Sequence, residues 1–268
     1  MPALDIHQLS LTIGAQRLLT GVSCSIRSGE RVAIVGANGA GKTSLLRCLL
    51  GLITPDHGEV RIQGETITRL TRAQIAQKIA YVPQGLGGDI PFSVQDFILM
   101  SRYSHAAIGP GILPHDHDGR HIAKDMMQRA GVDHLAQRSL NTLSGGERQK
   151  VNIAAALTQQ SPILLLDEPA AHLDPKQRES IQELLGDIGQ GEKRTIVSVT
   201  HDLNWAAMDF DRIIGMKNGE VLYDATPNDF ITTETLEEIF DSRWSVQPHP
   251  ESGAPMVVPR HHRHPSHD

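Results

Sequence analysis

One stretch decides the fold of this 268-residue chain: Val32-Ala33-Ile34-Val35-Gly36-Ala37-Asn38-Gly39-Ala40-Gly41-Lys42-Thr43. An apolar run precedes it, and the helix-like run Ser44–Leu50 follows. Strand, Gly-x4-Gly-Lys-Thr and helix in that order are typical of a phosphate-binding loop, the Walker A motif. Glycines let successive backbone N–H groups face an anion, and the helix adds the positive end of its dipole. A simple glycine-rich turn would leave the Lys-Thr pair unexplained.

The loop therefore predicts a nucleotide site. Lys42 is expected to contact the β- and γ-phosphates of ATP, and the Thr43 hydroxyl to contact Mg²⁺. The predicted phosphate-binding residues are Gly36, Ala37, Asn38, Gly39, Ala40, Gly41, Lys42, Thr43 and Ser44.

Apolar periodicity outlines the elements on both sides of the loop. Before it, Ile6–Ile13 and Val22–Ile26 predict two antiparallel strands. After it, residues 86–158 predict a mostly helical insertion. The continuous apolar runs Pro162–Asp167 and Thr195–Thr200 predict strands covered on both faces. The expected fold is α/β, with a parallel-sheet core, an N-terminal antiparallel β subdomain and an inserted α-helical subdomain.

Shorter patterns complete this outline. They predict a strand at Gly58–Gly64, a strand ending at Gln84, helices at Thr71–Ile79, Val94–Tyr103, His121–Ala130, Pro175–Gly186 and Thr233–Phe240, a hairpin around Asn218-Gly219, and a Pro- and His-rich tail from Gln247 that is poorly ordered near its end.

Composition and charge exclude some functions. The net charge is −6 and aromatic residues make up 4% of the chain. Nucleic-acid-binding proteins usually carry a basic excess and aromatic stacking residues, so we expect no nucleic-acid partner. Met1–Asp5 lacks the basic and apolar regions of a signal peptide, and no apolar run approaches the roughly 20 residues of a membrane span. The chain is expected in the cytosol or on the inner face of a membrane.

Two carboxylates follow the buried run that ends at Leu166. Ligands of open α/β sheets lie at the carboxyl ends of the strands. Asp167 is expected to hold Mg²⁺ through water, as a Walker B aspartate does. Glu168 is expected to polarise the attacking water as general base. An ordinary polar turn at Asp-Glu-Pro is the alternative.

Leu143-Ser144-Gly145-Gly146-Glu147 leads into an Ala-rich helix. Ser144 and Glu147 have the spacing of a capping box, and one interpretation is that they simply start the helix. The same geometry offers bare N–H groups to an anion. If two copies of the chain pair head to tail, this helix end can seal the γ-phosphate held by the other copy.

Two further polar residues follow predicted core strands. His201 follows Thr200 and is a candidate contact of the γ-phosphate, although a lone histidine is more often structural. Gln84 is a candidate contact of Mg²⁺ or the attacking water, and it stands where the helical insertion begins.

These motifs together resemble the nucleotide-binding subunits of ABC transporters. The chain matches that family's order over about residues 4–245: Walker A, a Gln loop at Gln84, a signature at residues 143–147, Walker B, and a His loop at His201. Ala171-His172-Leu173-Asp174 matches its D-loop, with Asp174 as the acidic residue. The resemblance implies a P-loop NTPase (RecA-like) core in the ABC ATPase fold, with one domain over residues 1–245 and a tail over 246–268.

The resemblance also implies a mechanism and partners. ATP and Mg²⁺ would bind between Walker A of one copy and the signature (Ser144, Gly145, Gly146 and Glu147) of the other. The insertion would dock cytoplasmic helices of a multi-span permease, in a system with a periplasmic or extracellular substrate-binding protein. The chain would then lie on the cytoplasmic face of the inner membrane as a peripheral subunit.

The residue before Gly14 departs from the family pattern. An aromatic residue usually stacks on adenine there, and this chain has Ile13. An isoleucine covers a purine face by dispersion alone. We expect weaker selection for adenine, with ATP still used.

Residues 91–105 indicate the subfamily. Pro91-Phe92-Ser93-Val94 and Arg102-Tyr103-Ser104-His105 look like the importers of ferric siderophores, haem and cobalamin, although Ser101 and Ser104 replace the Gly and Pro of that group. The alternative is the ATPase of another ABC transporter class, such as a zinc or manganese importer or an exporter. A DNA-repair or translation ABC protein, or a non-hydrolysing sensor, fits less well.

Histidines cluster at two places, without the Cys or carboxylate spacing of a structural metal site. Incidental solvated side chains are the simpler interpretation, and a transition-metal site is the alternative. The residues are His115, His117, His121, His261, His262, His264 and His267.

Overall fold

The computed structural model describes residues 1–85, 88–105 and 118–259. Within these ranges, no helix is both long enough and apolar enough to cross a membrane. The sequence pattern also predicts a loop over residues 108–118, and all of it except Asp118 lies outside the described residues, as do His115, His117 and the histidines from 261 onwards.

A four-stranded antiparallel sheet forms the N-terminal part of the described chain. Its strands are β1 (Pro2–Ile13), β2 (Gln16–Arg27), β4 (His57–Ile62) and β5 (Glu65–Thr66), in the order β2-β1-β4-β5. Both predicted N-terminal strands are present and are longer than the sequence pattern indicated. The β1–β2 turn pairs Ile13 with Gln16 and places Gly14 at φ 61°, a backbone conformation that glycine adopts without strain.

The described core sheet has six strands in the order β10-β9-β3-β8-β7-β6. They are β3 (Arg31–Val35), β6 (Ile79–Val82), β7 (Ile163–Asp167), β8 (Thr195–Val199), β9 (Arg212–Lys217) and β10 (Glu220–Ala225). β9, β3, β8, β7 and β6 run parallel, and β10 closes an antiparallel hairpin on β9. The hairpin turn is the predicted Asn218-Gly219, both with positive φ, as a type I′ turn requires.

Buried side chains on the two faces of this sheet explain its apolar runs. Along β7, Ile163 and Leu165 pack into one core cluster, and Leu164 and Leu166 pack into the other. Alternate residues of a strand point to opposite faces, so a strand covered on both sides needs apolar residues throughout. This packing delivers Asp167 to the carboxyl edge of the sheet.

Helices connect these strands. They are α1 (Lys42–Leu49), α2 (Arg72–Lys78), α3 (Val94–Met100), α4 (Gly119–Arg129), α5 (Gly145–Thr158), α6 (Pro175–Glu192), α7 (Leu203–Asp209), α8 (Pro227–Phe230) and α9 (Thr233–Phe240). α3, α4 and α5 pack together within the predicted insertion. A capping box of Thr71 and Gln74 starts α2.

Other element boundaries also differ from the sequence prediction. β6 ends at Val82, two residues before Gln84. α3 ends at Met100, and a 3₁₀ turn covers Ser101–His105. α6 continues six residues past Gly186, to Glu192, because Ile188 completes its buried face.

The segment after Phe240 contains a hairpin that the sequence pattern did not predict, and the predicted poorly ordered end of the tail lies outside the described residues. β11 (Trp244–Pro248) pairs with β12 (Pro255–Pro259) as an antiparallel hairpin. The expected domain boundary at residue 245 falls inside β11. The local pattern does not predict this hairpin: β12 packs on α7, which is distant in sequence, and β11 packs on the neighbouring α9.

Candidate nucleotide-binding site

The phosphate loop leaves β3 and begins α1 at Lys42. Gly41 is the N-cap residue, with φ 98° and no side-chain cap bond, so no capping side chain blocks the first N–H groups of the helix. A Cβ at Gly41 would lie 2.6 Å from the Leu18 carbonyl oxygen. Close approach and positive φ both require glycine at this position.

Lys42 lies buried in the curl of the loop. Its Nζ donates to the carbonyl oxygens of Gly36 at 2.7 Å and Ala37 at 2.9 Å. Burial lowers the pKa of Lys42, and the nearby Glu168 and Asp167 carboxylates oppose that change. In place of these two neutral carbonyl oxygens, the ammonium could donate to phosphate oxygens. Phosphate oxygens are charged and therefore stronger acceptors.

Asp167 lies behind the loop, at the end of β7. The Thr43 hydroxyl donates to its Oδ1 at 3.4 Å, and the Tyr81 hydroxyl donates to its Oδ2 at 3.3 Å. Burial raises the pKa of Asp167, and these two hydrogen bonds oppose the rise. Burial and the Asp167 charge raise the pKa of Tyr81 to about 12, so its phenol remains a donor. Sequence reasoning missed Tyr81 because nothing in its local pattern points to Asp167.

Each carboxylate oxygen of Glu168 contacts one polar side chain. Gln84 Nε2 donates to Oε2 at 2.8 Å, and His201 Nε2 lies 2.7 Å from Oε1. The Glu168 N–H donates to Val199 O on neighbouring β8, which fixes the backbone. Its φ of +50° is disfavoured for a residue with a side chain. The structure thus brings three predicted residues from three chain segments into one network.

A cleft of about 430 Å³ contains the loop and this network. Its volume is in the range of small-ligand sites. The lining residues are Gln16, Leu18, Asn38, Gly39, Ala40, Gly41, Lys42, Thr43, Ser44, Gln84, Glu168, His172 and His201. Ile13 is outside this lining and is half exposed at the β1–β2 turn. Gln16 and Leu18 of β2 line the cleft instead, and sequence reasoning did not select them.

Ser144, Gly145, Gly146 and Glu147 also lie outside the cleft lining. The Ser144 N–H and hydroxyl donate to Glu147 Oε2 at 2.8 and 2.9 Å, and the Glu147 N–H donates back to Ser144 Oγ at 3.3 Å. These bonds lower the pKa of Glu147. Gly146 faces Gln177 of α6, so the signature sits beside the start of that helix.

Asp174 caps the same helix. Its Oδ1 accepts from the Gln177 N–H at 2.9 Å, and Pro175 takes the first helical position. Asp174 is exposed and lies outside the cleft lining. Its immediate role in one chain is therefore to start α6.

Replacing Ser144 with alanine is expected to destabilise α5. The substitution removes one side of the capping box, which typically costs about 1 kcal/mol. Thermal unfolding would show it as a fall of the midpoint by a few degrees. Ser252→Ala, on the exposed β11–β12 turn, is the control. An unchanged midpoint for Ser144→Ala would contradict the structural role.

Metal-binding groups are sparse in the described ranges. Among residues 1–85, 88–105 and 118–259, no group of three or more His, Cys, Asp or Glu side chains is placed to hold a metal ion. His121 is exposed on α4. Mg²⁺ does not need such a cluster, because it is commonly bound by one or two carboxylates, water and substrate phosphates. The oxygen pair of Thr43 and Asp167 fits that pattern.

Comparison with known proteins finds relatives that all belong to one family. A family model described as ABC transporter matches residues 19–171. Three similar proteins are the cobalamin import ATP-binding protein BtuD of Halobacterium salinarum, the ferric enterobactin transport ATP-binding protein FepC of Escherichia coli and the hemin import ATP-binding protein HmuV of Thermobifida fusca. Identities are 38%, 34% and 35%, over 96%, 94% and 96% of this chain. The chain spans 63% of the BtuD protein, 92% of FepC and 88% of HmuV.

Solved structures share the fold. A metal-chelate type ABC transporter in an inward-facing conformation superposes with a TM-score of 0.83 at 26% identity, over 97% of this chain and 98% of that one. The dimeric ATP-binding cassette MJ0796, bound to ADP and Pi in a post-hydrolysis state, superposes with a TM-score of 0.73 at 30% identity. That match covers 83% of this chain and 98% of the cassette.

Proposed function

This chain belongs to the ABC transporter family and carries its ATPase domain, and on that premise we propose that it is the ATP-hydrolysing subunit of an importer for a metal chelate. One observation carries the proposed hydrolysis of ATP. Lys42, Thr43, Gln84, Glu168 and His201 line one cleft. A buried cation for phosphate, a hydroxyl beside a carboxylate, and a carboxylate flanked by two polar side chains are the parts that phosphoanhydride hydrolysis needs.

ATP binding follows from the loop. The phosphates replace the Gly36 and Ala37 carbonyls as acceptors from Lys42, while the N–H groups at the start of α1 face the phosphate oxygens. Thr43 and Asp167 would hold Mg²⁺, Asp167 through water. When bound, the ion neutralises phosphate charge and orients the γ-phosphate.

Hydrolysis follows from the Glu168 network. Each Glu168 oxygen uses one lone pair for its partner and keeps another, so the carboxylate can accept a proton from water. Gln84 and His201 hold its two oxygens in position. His201 also lines the cleft, from which it can contact the γ-phosphate. As cleavage proceeds, the water oxygen forms a bond to the γ-phosphorus and gives one proton to Glu168. The bond from the γ-phosphorus to the bridging oxygen breaks, so the products are ADP and phosphate.

A second copy supplies what one chain lacks. The Ser144 end of α5 lies outside the cleft lining, although its N–H groups suit an anion. We propose that it closes over the γ-phosphate of a head-to-tail partner, with Asp174 at the same interface. The dimeric cassette at 30% identity supports this arrangement. Hydrolysis would remove the charge that holds the two copies together.

The cargo and partners are proposed from relatives. BtuD, FepC and HmuV are named for cobalamin, ferric enterobactin and hemin, all metal chelates. We propose a chelate of this class, a multi-span permease, an external substrate-binding protein, and a peripheral position on the cytoplasmic face of the inner membrane. Co-purification from native membranes, followed by identification of the permease and of bound metal, tests this. A permease of the zinc or manganese class would support the alternative.

A phosphate-release assay tests the ATPase proposal. The purified chain should release phosphate from ATP in the presence of Mg²⁺, and EDTA should stop it. The assay is repeated after reconstitution with the co-purified permease, because a transporter ATPase can release phosphate slowly without its membrane partner. Absence of Mg²⁺-dependent release in both preparations would refute the proposal.

Nucleotide affinity should respond to Ile13. Replacing it with tyrosine is expected to tighten ATP binding by a few-fold, because an aromatic face adds stacking on the purine of about 1 kcal/mol. Equilibrium binding of a fluorescent ATP analogue measures the change. Leu222→Tyr, at another partly exposed apolar residue, is the control. No change for Ile13→Tyr would place adenine elsewhere, against Gln16 and Leu18.

A further inference from the structure

The C-terminal hairpin forms one wall of a second cavity. This cavity is about 500 Å³ and shares Glu168, His172 and His201 with the nucleotide cleft. Trp244 of β11 and Val257 of β12 line its other side. A segment predicted to be a tail therefore lies next to the candidate catalytic pair.

Asn204 joins the hairpin to α7. Its Nδ2 donates to Val257 O at 3.2 Å, and its Oδ1 accepts from the Val257 N–H at 2.7 Å. A side-chain amide has one donor group and one acceptor, so it pairs with a backbone residue as a neighbouring strand would. Val257 is itself buried in the core. This two-point contact fixes β12 against the first turn of α7.

Short bonds connect that turn to His201. Asp202 caps α7 by accepting from the Trp205 N–H at 2.9 Å. The Asp202 N–H donates to Thr200 Oγ1 at 3.0 Å, and the Thr200 N–H donates to Ile34 O at 3.1 Å. His201 is thus held on one side by the core sheet and on the other by α7. Only the second anchor depends on the hairpin.

We propose that Asn204 is a positioning residue for His201, and that residues 244–259 set the direction of the His201 side chain through the Asn204–Val257 contact. The inference rests on the proposed ATPase function for its kinetic consequence, but its geometric part stands independently. Loss of the contact frees the first turn of α7, and His201 Nε2 then moves relative to Glu168 Oε1.

The geometric part is tested by NMR of the full chain with ¹³C-labelled histidine. His201→Gln identifies the His201 ring signals. Asn204→Ala should shift or broaden those signals and leave the signals of the exposed His57 unchanged. Asn228→Ala, at an exposed asparagine of α8, should change neither set. Unchanged His201 signals in Asn204→Ala would overturn the proposal, whether or not the chain hydrolyses ATP.

The kinetic part uses a double-mutant cycle. Asn204→Ala should lower kcat about tenfold and leave the Kd for ATP within about twofold, since misplacing a catalytic group affects the chemical step. In a chain that already carries His201→Ala, Asn204→Ala should lower kcat no further, because the imidazole that Asn204 positions is absent. Equal losses in both backgrounds, or a weakened Kd with unchanged kcat, would overturn the positioning role.

A conservative variant guards against misfolding. Asn204→Gln keeps both the amide donor and the amide acceptor for Val257, on a side chain one methylene longer. It should show a kcat between those of Asn204→Ala and the unsubstituted chain. If the unsubstituted chain releases no phosphate, the proposed function fails while the NMR experiment still decides the geometry.

Discussion

Replacing Glu168 with glutamine is expected to lower kcat for ATP hydrolysis by roughly 10²- to 10⁴-fold, the usual contribution of a general base. Glutamine keeps the size and shape of the side chain. Its amide oxygen still accepts from Gln84 Nε2, and its NH₂ donates to His201 Nε2 when that atom is unprotonated. The network therefore persists, and only the ability to accept a proton from water is lost.

ATP binding by Glu168→Gln should remain within a few-fold of the unsubstituted chain. The groups that bind the phosphates in our proposal, above all Lys42 and the start of α1, are untouched. ATP and Mg²⁺ should then accumulate in a closed pair of chains. Light scattering after addition of ATP should show the mass doubling and persisting, because the charge that holds the pair is not removed.

Phosphate release and equilibrium binding of a fluorescent ATP analogue measure the two effects separately. Glu234→Gln, an exposed carboxylate in the first turn of α9, is the matched control and should hydrolyse ATP normally. A Glu168→Gln chain with normal turnover would refute the assignment of the base. Loss of binding together with turnover would instead indicate that Glu168 supports the loop.

Replacing Lys42 with alanine is expected to weaken ATP binding by roughly 30- to 4000-fold. Truncating one partner of a buried, hydrogen-bonded charge pair costs about 2–5 kcal/mol, and each 1.4 kcal/mol is tenfold in Kd. Lys42 is a strong case because it is buried and already desolvated before ATP arrives. No other lysine or arginine lines the described cleft to replace it.

Binding of a fluorescent ATP analogue measures this loss directly, and a thermal shift with ATP gives a second readout. Lys78→Ala is the matched control, because Lys78 also makes two polar contacts, with Gln63 and Glu65, on the N-terminal sheet. It should bind ATP normally. An unchanged Kd for Lys42→Ala would contradict the proposal that the phosphate loop binds ATP.

Local chemistry explains why much of the site could be predicted. The phosphate loop, the capping box of Ser144 and the carboxylates after β7 are contiguous motifs, and each motif carries its own geometry. The apolar runs of β7 and β8 predicted buried strands because both faces of the sheet are covered. The combined motifs predicted the family, which the comparisons confirm.

Contacts between distant segments explain what sequence reasoning missed. Tyr81 reaches Asp167 only because β6 and β7 are neighbours in the sheet. Leu18 enters the cleft because β2 lies beside Gly41, whereas the family resemblance placed the adenine at Ile13. The C-terminal hairpin depends on Asn204, more than 50 residues away. None of these pairings leaves a periodic signal in the chain.

Two residues that line the nucleotide cleft have left-handed backbone conformations: Glu168 has a φ of +50° and His172 a φ of +59°. For residues with side chains this conformation costs about 1 kcal/mol or more, which glycine would avoid. Selection for heat tolerance alone would therefore favour glycine at both positions, and glycine in place of Glu168 would remove the proposed base and with it the turnover. An engineering screen on this scaffold should select for turnover and thermal resistance together.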